Sequence, residues 1–245
     1  MVSEAENFHA TSKRLLWPSP HSASGSREWF IDMKFIKNHF PVVASFIKTI
    51  TDSGRHQLSK VRIKRLLEEK DEICIEVGAG DKKGKEGWIT IDITKDCDIF
   101  WDLRRGLPFP DRSILKIYSS HFFEHLSFNE TRKFLDDCLR VLVPYGTFSI
   151  CVPNARIYIQ AYLNSDSLDR NQFFGYGQAY NNTTKIDYVN YTAYMDGQHK
   201  YMFDEENLVY ILQSKGFKNV RLRPFNPELD SKERDFESIY AEAEK

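Results

Sequence analysis

Ile73-Cys74-Ile75-Glu76-Val77-Gly78-Ala79-Gly80, followed by Trp88-Ile89-Thr90-Ile91-Asp92 with its carboxylate twelve residues after Gly80, decides how this chain is read. A short apolar run rich in β-branched residues and bounded by glycine reads as a buried parallel strand. The two glycines behind it let the backbone turn tightly against a ligand. A second short strand ending in a carboxylate offers two acceptors to a ribose diol, in the crevice outside the carboxyl ends of an open α/β sheet. The pair predicts an α/β chain with a cradle for a nucleoside-bearing ligand.

The glycine spacing narrows the ligand. The dinucleotide fingerprint G-x-G-x-x-G needs a third glycine where this chain has Lys83, and Gly84 comes one residue late. The link from Gly80 to Asp92 is short and broken by Gly84 and Gly87, so a full crossover helix does not fit and little helix N-terminus is left to hold a pyrophosphate. This counts against an NAD-dependent oxidoreductase. A nucleoside cofactor without phosphates suits the spacing, and S-adenosylmethionine is the common one.

The residues here resemble the class I S-adenosylmethionine-dependent methyltransferases of the type 11-like group. Their motif E-x-G-x-G is met by Glu76, Gly78 and Gly80, and their D-L-x-x-x-L-P-F-x-D by Asp102 to Asp111. Ile117 to Leu126, ending Glu124-His125-Leu126, looks like the fourth strand with its E-H-L turn, and Arg140 to Asn154 looks like the R-x-L-x-P-G-G segment entering strand five. Tyr145 departs from the pattern, standing where the first glycine of that turn usually lies. The resemblance covers residues 70–245 and extends to small methyltransferases assigned to glycan and polysaccharide pathways.

The resemblance implies a Rossmann-like, seven-stranded mixed sheet with helices on both faces, an antiparallel last strand and, in this chain, an N-terminal helical extension. It implies S-adenosylmethionine as cofactor, S-adenosylhomocysteine as product, and a small-molecule or glycan acceptor, with a hydroxyl as the receiving group. By position, Glu76, Gly78, Ala79 and Gly80 would serve the methionine end, Asp92 and Ile93 the ribose, and Asp102 and Leu103 the adenine. Ser120 and His121 would border the reactive methyl. Each has a plainer use: a strand-end acid, a simple turn, an aspartate before a proline-rich loop. For a base, His199 and His121 are the catalytic candidates, His125 reads as structural, and Glu124 as either.

Composition bounds these readings. The chain has 245 residues, 41% hydrophobic and 14% aromatic, enough for one domain with an extension. Residues 1–70 carry twelve Lys/Arg against seven Asp/Glu and the remainder twenty-two against twenty-eight, so the candidate catalytic part lacks the basic footprint of a nucleic-acid enzyme. Cys74, Cys97, Cys138 and Cys151 form no C-x-x-C pair and read as free thiols of a reducing compartment, with no metal site. No apolar run reaches the length of a membrane span and the start lacks the order of a secretory signal, which predicts a cytoplasmic protein.

Along the chain, residues 1–26 read as a disordered polar tail, 27–70 as a helical extension and 71–245 as the methyltransferase domain. Within the extension, Pro41 is expected to divide two short helices, and residues 55–70 to form a basic helix with Leu58, Val61, Leu66 and Leu67 on its packed side. The aromatic and basic stretch 29–50 admits two uses: weak peripheral contact with an anionic membrane surface near a lipid-linked glycan, or docking onto the catalytic domain or a homodimer mate. Residues 155–203 read as a long irregular insertion rich in tyrosine, a lid or acceptor-binding wall. A catalytically silent module that keeps the fold for binding or regulation is the alternative function.

Overall fold

The computed structural model describes residues 38–81, 84–94, 96–164 and 184–245. The expected tail 1–26 and the insertion's Phe173, Phe174, Tyr176 and Tyr180 lie outside the described residues. Two units are distinguished, Met1–Ile47 and Lys48–Lys245. The first contributes the opening turns of helix α1, Pro41–Glu69, which runs on into the second. Pro41 marks a division between helices, since Asn38 and His39 are helical and Phe40 is not. It is the first residue of α1, where a missing N–H costs nothing and the fixed φ favours helix, and α1 is long rather than short. Gly54 lies inside the same helix without ending it, and no separate helix begins at residue 55.

Ser59, Ile63 and Leu66, spaced four and three residues apart, are the buried stripe of α1. Leu58 and Val61 were expected beside Leu66 and are instead 71% and 64% exposed. Polar contacts set the stripe in register. Ser59 Oγ accepts from the Phe100 amide at 2.9 Å, and the Arg62 guanidinium reaches the Asp98 carboxylate at 2.7 Å.

Seven strands follow: β1 Cys74–Val77, β2 Trp88–Asp92, β3 Ile99–Phe100, β4 Ile114–Ser120, β5 Leu142–Pro153, β6 Lys218–Leu222 and β7 Ser238–Glu244. They form one sheet in the order β3-β2-β1-β4-β5-β7-β6. β1 to β5 pair in parallel, and β7 is antiparallel to both β5 and β6. The helices besides α1 are α2 Phe128–Val141, α3 Ala155–Leu163, α4 Lys185–Tyr194 and α5 Glu205–Ser214. Among the described residues, no helix connects β1 to β2.

The register gives each face its character. Ile75, Ile117, Phe148 and Ala243 are successive neighbours across β1, β4, β5 and β7, and all are buried with Phe134, Leu135 and Cys138 of α2 and Leu208 and Ile211 of α5 in one core. The alternate set, Glu76, Tyr118, Ser149 and Glu242, lies on the opposite face. That polar face is satisfied by a buried pair. Arg223 bonds both oxygens of Asp230 at 2.6 and 2.8 Å and Ser149 Oγ at 2.9 Å, while Tyr118 donates to Asp230 at 3.0 Å.

β5 begins at Leu142, directly behind α2, and is irregular between the pairs Ile114–Leu142 and Lys116–Thr147. Tyr145 sits in this bulge at φ +64 and is 84% exposed, so the left-handed turn that a glycine would fill without strain is here held by tyrosine. The described part of the insertion is also more regular than expected, since α3, α4 and a 3-10 turn at Met195–Gly197 lie within it.

Ser127 and Glu130 start α2 with a reciprocal cap: the Ser127 amide donates to Glu130 Oε2 at 2.8 Å, and the Glu130 amide to Ser127 Oγ at 3.4 Å. The Ser127 amide and hydroxyl, aided by Lys200, pull the Glu130 carboxyl down from 4.5 to about 2. Between those values the unfolded chain binds the proton and the folded chain does not, so the contribution is full above pH 4.5 and is lost as pH falls towards 2. Glu130→Gln is expected to remove this component, flattening urea-unfolding stability against pH in that window while the wild type declines more steeply.

Candidate active site

Two backbone turns at the carboxyl ends of the parallel strands build the site. The first is the glycine loop after β1. The Asp92 carboxylate at the end of β2 accepts from the Gly80 amide at 3.0 Å on one oxygen and from the Ile93 and Thr94 amides at 2.6 and 3.1 Å on the other. Thr94 Oγ1 closes the ring by donating to the Gly80 carbonyl at 2.6 Å. Hydrogen bonds to a charged acceptor contribute about 1.5–3 kcal/mol each, enough to fix this loop without a helix behind it.

Asp92, Ile93, Trp101, Asp102, Leu103 and Phe122 line a cavity of about 190 Å³. Four of the residues expected to hold a nucleoside therefore meet in one place. The Asp102 carboxylate caps the 3-10 turn Leu103–Arg105 through the Arg104 amide and is bidentate with the Arg104 guanidinium at 2.8 and 2.9 Å, which holds its carboxyl below the usual range. Glu76, Ala79 and Ser120 are buried and do not line this cavity. Gly78, at φ +69, is packed by Phe122, so closely that a Cβ there would collide with the ring. Gly80, at φ +64, has open space where a Cβ would point, and with Asp92 beside it this leaves room for a ligand against the bare loop.

The second turn follows β4. His121 adopts φ +52, a left-handed conformation that costs a residue with a Cβ about 1–2 kcal/mol. It is held there by three contacts: its amide donates to the Cys151 carbonyl at 2.9 Å, its Nε2 lies 3.0 Å from Ser238 Oγ, and its Nδ1 lies 3.5 Å from Glu124 Oε1. Ser238 donates its own hydrogen to the Arg234 carbonyl, so His121 Nε2 is the donor to Ser238. Both nitrogens of His121 are thus engaged.

His125 and His199 differ. A carbonyl oxygen only accepts, so His125 Nδ1 donates to Gln198 at 3.0 Å and His199 Nδ1 donates to Thr192 at 2.7 Å. The Nε2 atoms of both rings are left with free lone pairs, and the rings meet edge to face with centroids 4.9 Å apart. Burial pushes the His199 imidazole below its ordinary 6.5, despite opposing help from the Thr192 carbonyl and Glu124, which keeps it neutral near pH 7.

Glu124 is 2% exposed. Burial raises its carboxyl, but the hydrogen bond and charge of His121, its own amide and His125 outweigh this, and the carboxyl stays below its usual value. Its Oε2 has no hydrogen-bond partner. His121, Glu124, His125, Tyr158, Tyr191 and His199 are among the residues lining a second cavity, of about 280 Å³. Of the two catalytic candidates, His199 presents a free nitrogen and His121 does not.

The sequence reads His125 as structural, yet it lines both cavities. It also left out Glu237, which accepts from the buried Tyr158 hydroxyl at 2.7 Å at the wall of the second cavity. The adjacency of Glu124 and His125 was the signal available in the sequence. Glu237 left none, because only the antiparallel return of β7 brings it here.

Residues 97–150 match a family model described as a methyltransferase domain. No curated protein matches the chain. Among solved structures, the chain is similar to a SAM dependent methyltransferase from Archaeoglobus fulgidus at 18% identity, with 82% of this chain and 99% of that chain covered and a TM-score of 0.46. It is similar to an S-adenosylmethionine dependent methyltransferase from Mesorhizobium loti at 15% identity, covering 71% and 90% with a TM-score of 0.45. It is also similar to phosphoethanolamine N-methyltransferase 2 of Haemonchus contortus at 12% identity, covering 89% and 61% with a TM-score of 0.45.

The two loop glycines separate strain from collision. Both have positive φ, so Gly80→Ala is expected to cost only the left-handed penalty of about 1–2 kcal/mol. Gly78→Ala adds displacement of Phe122 and is expected to cost at least about 1 kcal/mol more, from overpacking, in urea unfolding.

Proposed function

We propose that the class I S-adenosylmethionine-dependent methyltransferase domain of this chain serves a hydroxyl on a small-molecule or glycan acceptor seated between His199, Tyr158 and Tyr191. The observation that carries this reading is the pair of cavities that share His125 as a wall: one lined by Asp92, Ile93, Asp102 and Leu103, the other by His199 and tyrosine.

The cofactor supplies an already electrophilic methyl group on a sulfonium, so the protein's task is placement. Asp92 would hold the ribose through the lone pairs its backbone bonds leave free, with Ile93 and Leu103 as apolar walls and Asp102 at the adenine edge. Glu76 and the backbone of Gly78, Ala79 and Gly80 would support the methionine end, and Ser120 and His121 the approach to the methyl. Fixing two partners in line contributes up to about 7–11 kcal/mol of the barrier. His199 Nε2 is positioned to accept a hydroxyl proton, and His121 acts by holding Glu124 in place. A general base of this kind contributes on the order of 10²–10⁴ in rate.

The lining supports this acceptor class. Tyrosine faces stack on sugar rings, and Glu124 and Glu237 offer acceptors to neighbouring hydroxyls. Among the described residues no helix is long and apolar enough to cross a membrane.

Calorimetric titration with S-adenosylmethionine and S-adenosylhomocysteine is expected to give micromolar binding that Asp92→Ala weakens at least tenfold. Transfer to a panel of nucleotide sugars and glycans is then expected, with His199→Gln lowering kcat and sparing cofactor binding. No binding by the intact protein would overturn the reading, and binding without transfer across the panel would favour the silent module.

A further inference from the structure

We propose that Glu124, His125 and His199 form a binding site for one divalent transition-metal ion, with a coordination position open to the cavity beside them. One donor atom from each residue lies within 4.8 Å of the donors of the other two. Both rings have committed Nδ1 to a backbone carbonyl, so Nε2 is the nitrogen each has left. Glu124 Oε2 is buried without any hydrogen bond, on a side chain 3% exposed. One donor from each of three residues thus converges, and each residue keeps a lone-pair atom that receives no hydrogen. Buried polar atoms are rarely left so, and an orphaned one points to a missing ion or water.

The supporting contacts are already those of a metal site. Ligating histidines typically donate their second nitrogen to a backbone carbonyl or carboxylate, which fixes the tautomer and the ring orientation. Gln198 and Thr192 do this for His125 and His199, and His121, itself held by Ser238, steadies the other oxygen of Glu124. Two imidazoles and one carboxylate are the donor set of open zinc sites, in which metal–ligand distances are about 2.0–2.2 Å. The same set is ill-suited to calcium or magnesium, which take oxygen ligands. Tetrahedral donors at those distances stand about 3.4 Å apart, so the side chains would close by an ångström or so.

With the ion bound, His199 is a ligand and no longer the proton acceptor assigned to the metal-free pocket. The open position would then take the acceptor oxygen. That use rests on the acceptor reading above, whereas binding of the ion does not.

The test uses tag-free full-length protein freed of metal with a chelator, titrated with Zn²⁺ against a chromophoric competitor and with Co²⁺ for its visible spectrum. One equivalent of Zn²⁺ is expected, with Co²⁺ bands of four- or five-coordinate intensity. His199→Gln and His125→Gln should each weaken Zn²⁺ at least ~10-fold, the scale seen when supporting contacts alone are lost. Circular dichroism checks both folds, and S-adenosylmethionine binding by His199→Gln gives a second check. Wild-type protein that binds S-adenosylmethionine and no stoichiometric Zn²⁺ would overturn the metal site and leave the function standing. Zn²⁺ binding that survives in both variants would overturn the assignment to these residues. Zn²⁺ bound without S-adenosylmethionine would uphold the site and overturn the functional reading instead.

Discussion

The Asp92 carboxylate is the constraint on which the nucleoside side of the molecule depends. In an open α/β sheet the turn after the first strand is usually steadied by the helix that follows it. Here no helix stands between β1 and β2 among the described residues, and the glycine loop would be loose if nothing replaced it. Asp92 replaces it by gathering the amides of Gly80, Ile93 and Thr94, and Thr94 returns a bond to Gly80. One side chain thereby aligns the ends of two neighbouring strands. The arrangement works because Gly80 supplies positive φ and no Cβ, leaving its amide free to turn inward.

Glu124 plays the corresponding part on the acceptor side. Its backbone carbonyl accepts from the amides of Lys200 at 2.7 Å and Tyr201 at 3.3 Å, so the turn after β4 is stitched to the segment leading into α5. Its carboxylate meets His121 on one oxygen and leaves the other bare. A buried carboxylate with one bare oxygen is a costly arrangement unless a cation or donor completes it. The strain at His121 belongs to the same economy of contacts, since a left-handed histidine is kept only where its surroundings determine it.

The parallel core was legible because its signals are local. Ile73 to Val77, Trp88 to Ile91 and Ile117 to Ser119 are short apolar runs bounded by turn residues, and the Ser127–Glu130 cap is written within four positions. Pro41 was legible as a boundary because proline interrupts a preceding helix and suits the first position of the next, but nothing local announced that α1 would run through Gly54 to Glu69. Leu58 and Val61 misled because α1 carries apolar residues on more than one side, and the side that packs, Ser59, Ile63 and Leu66, is set in register by Ser59 bonding to Phe100.

In the site, Asp92, Ile93, Asp102 and Leu103 were readable because one stretch of sequence carries both halves of their cavity wall. The histidines were not, because what separates them is the partner of a second nitrogen. His121 meets Ser238, 117 positions away, His125 meets the Gln198 carbonyl, 73 away, and His199 the Thr192 carbonyl, seven away. Sequence places three histidines near the strand ends and is silent on which keep a free lone pair. Chain topology supplies that answer. The antiparallel β7 delivers Ser238 and Glu237 to the wall of the pocket, and the 3-10 turn after α4 delivers Gln198 and His199, so the chemistry of the turn after β4 is set by segments more than seventy positions further along the chain.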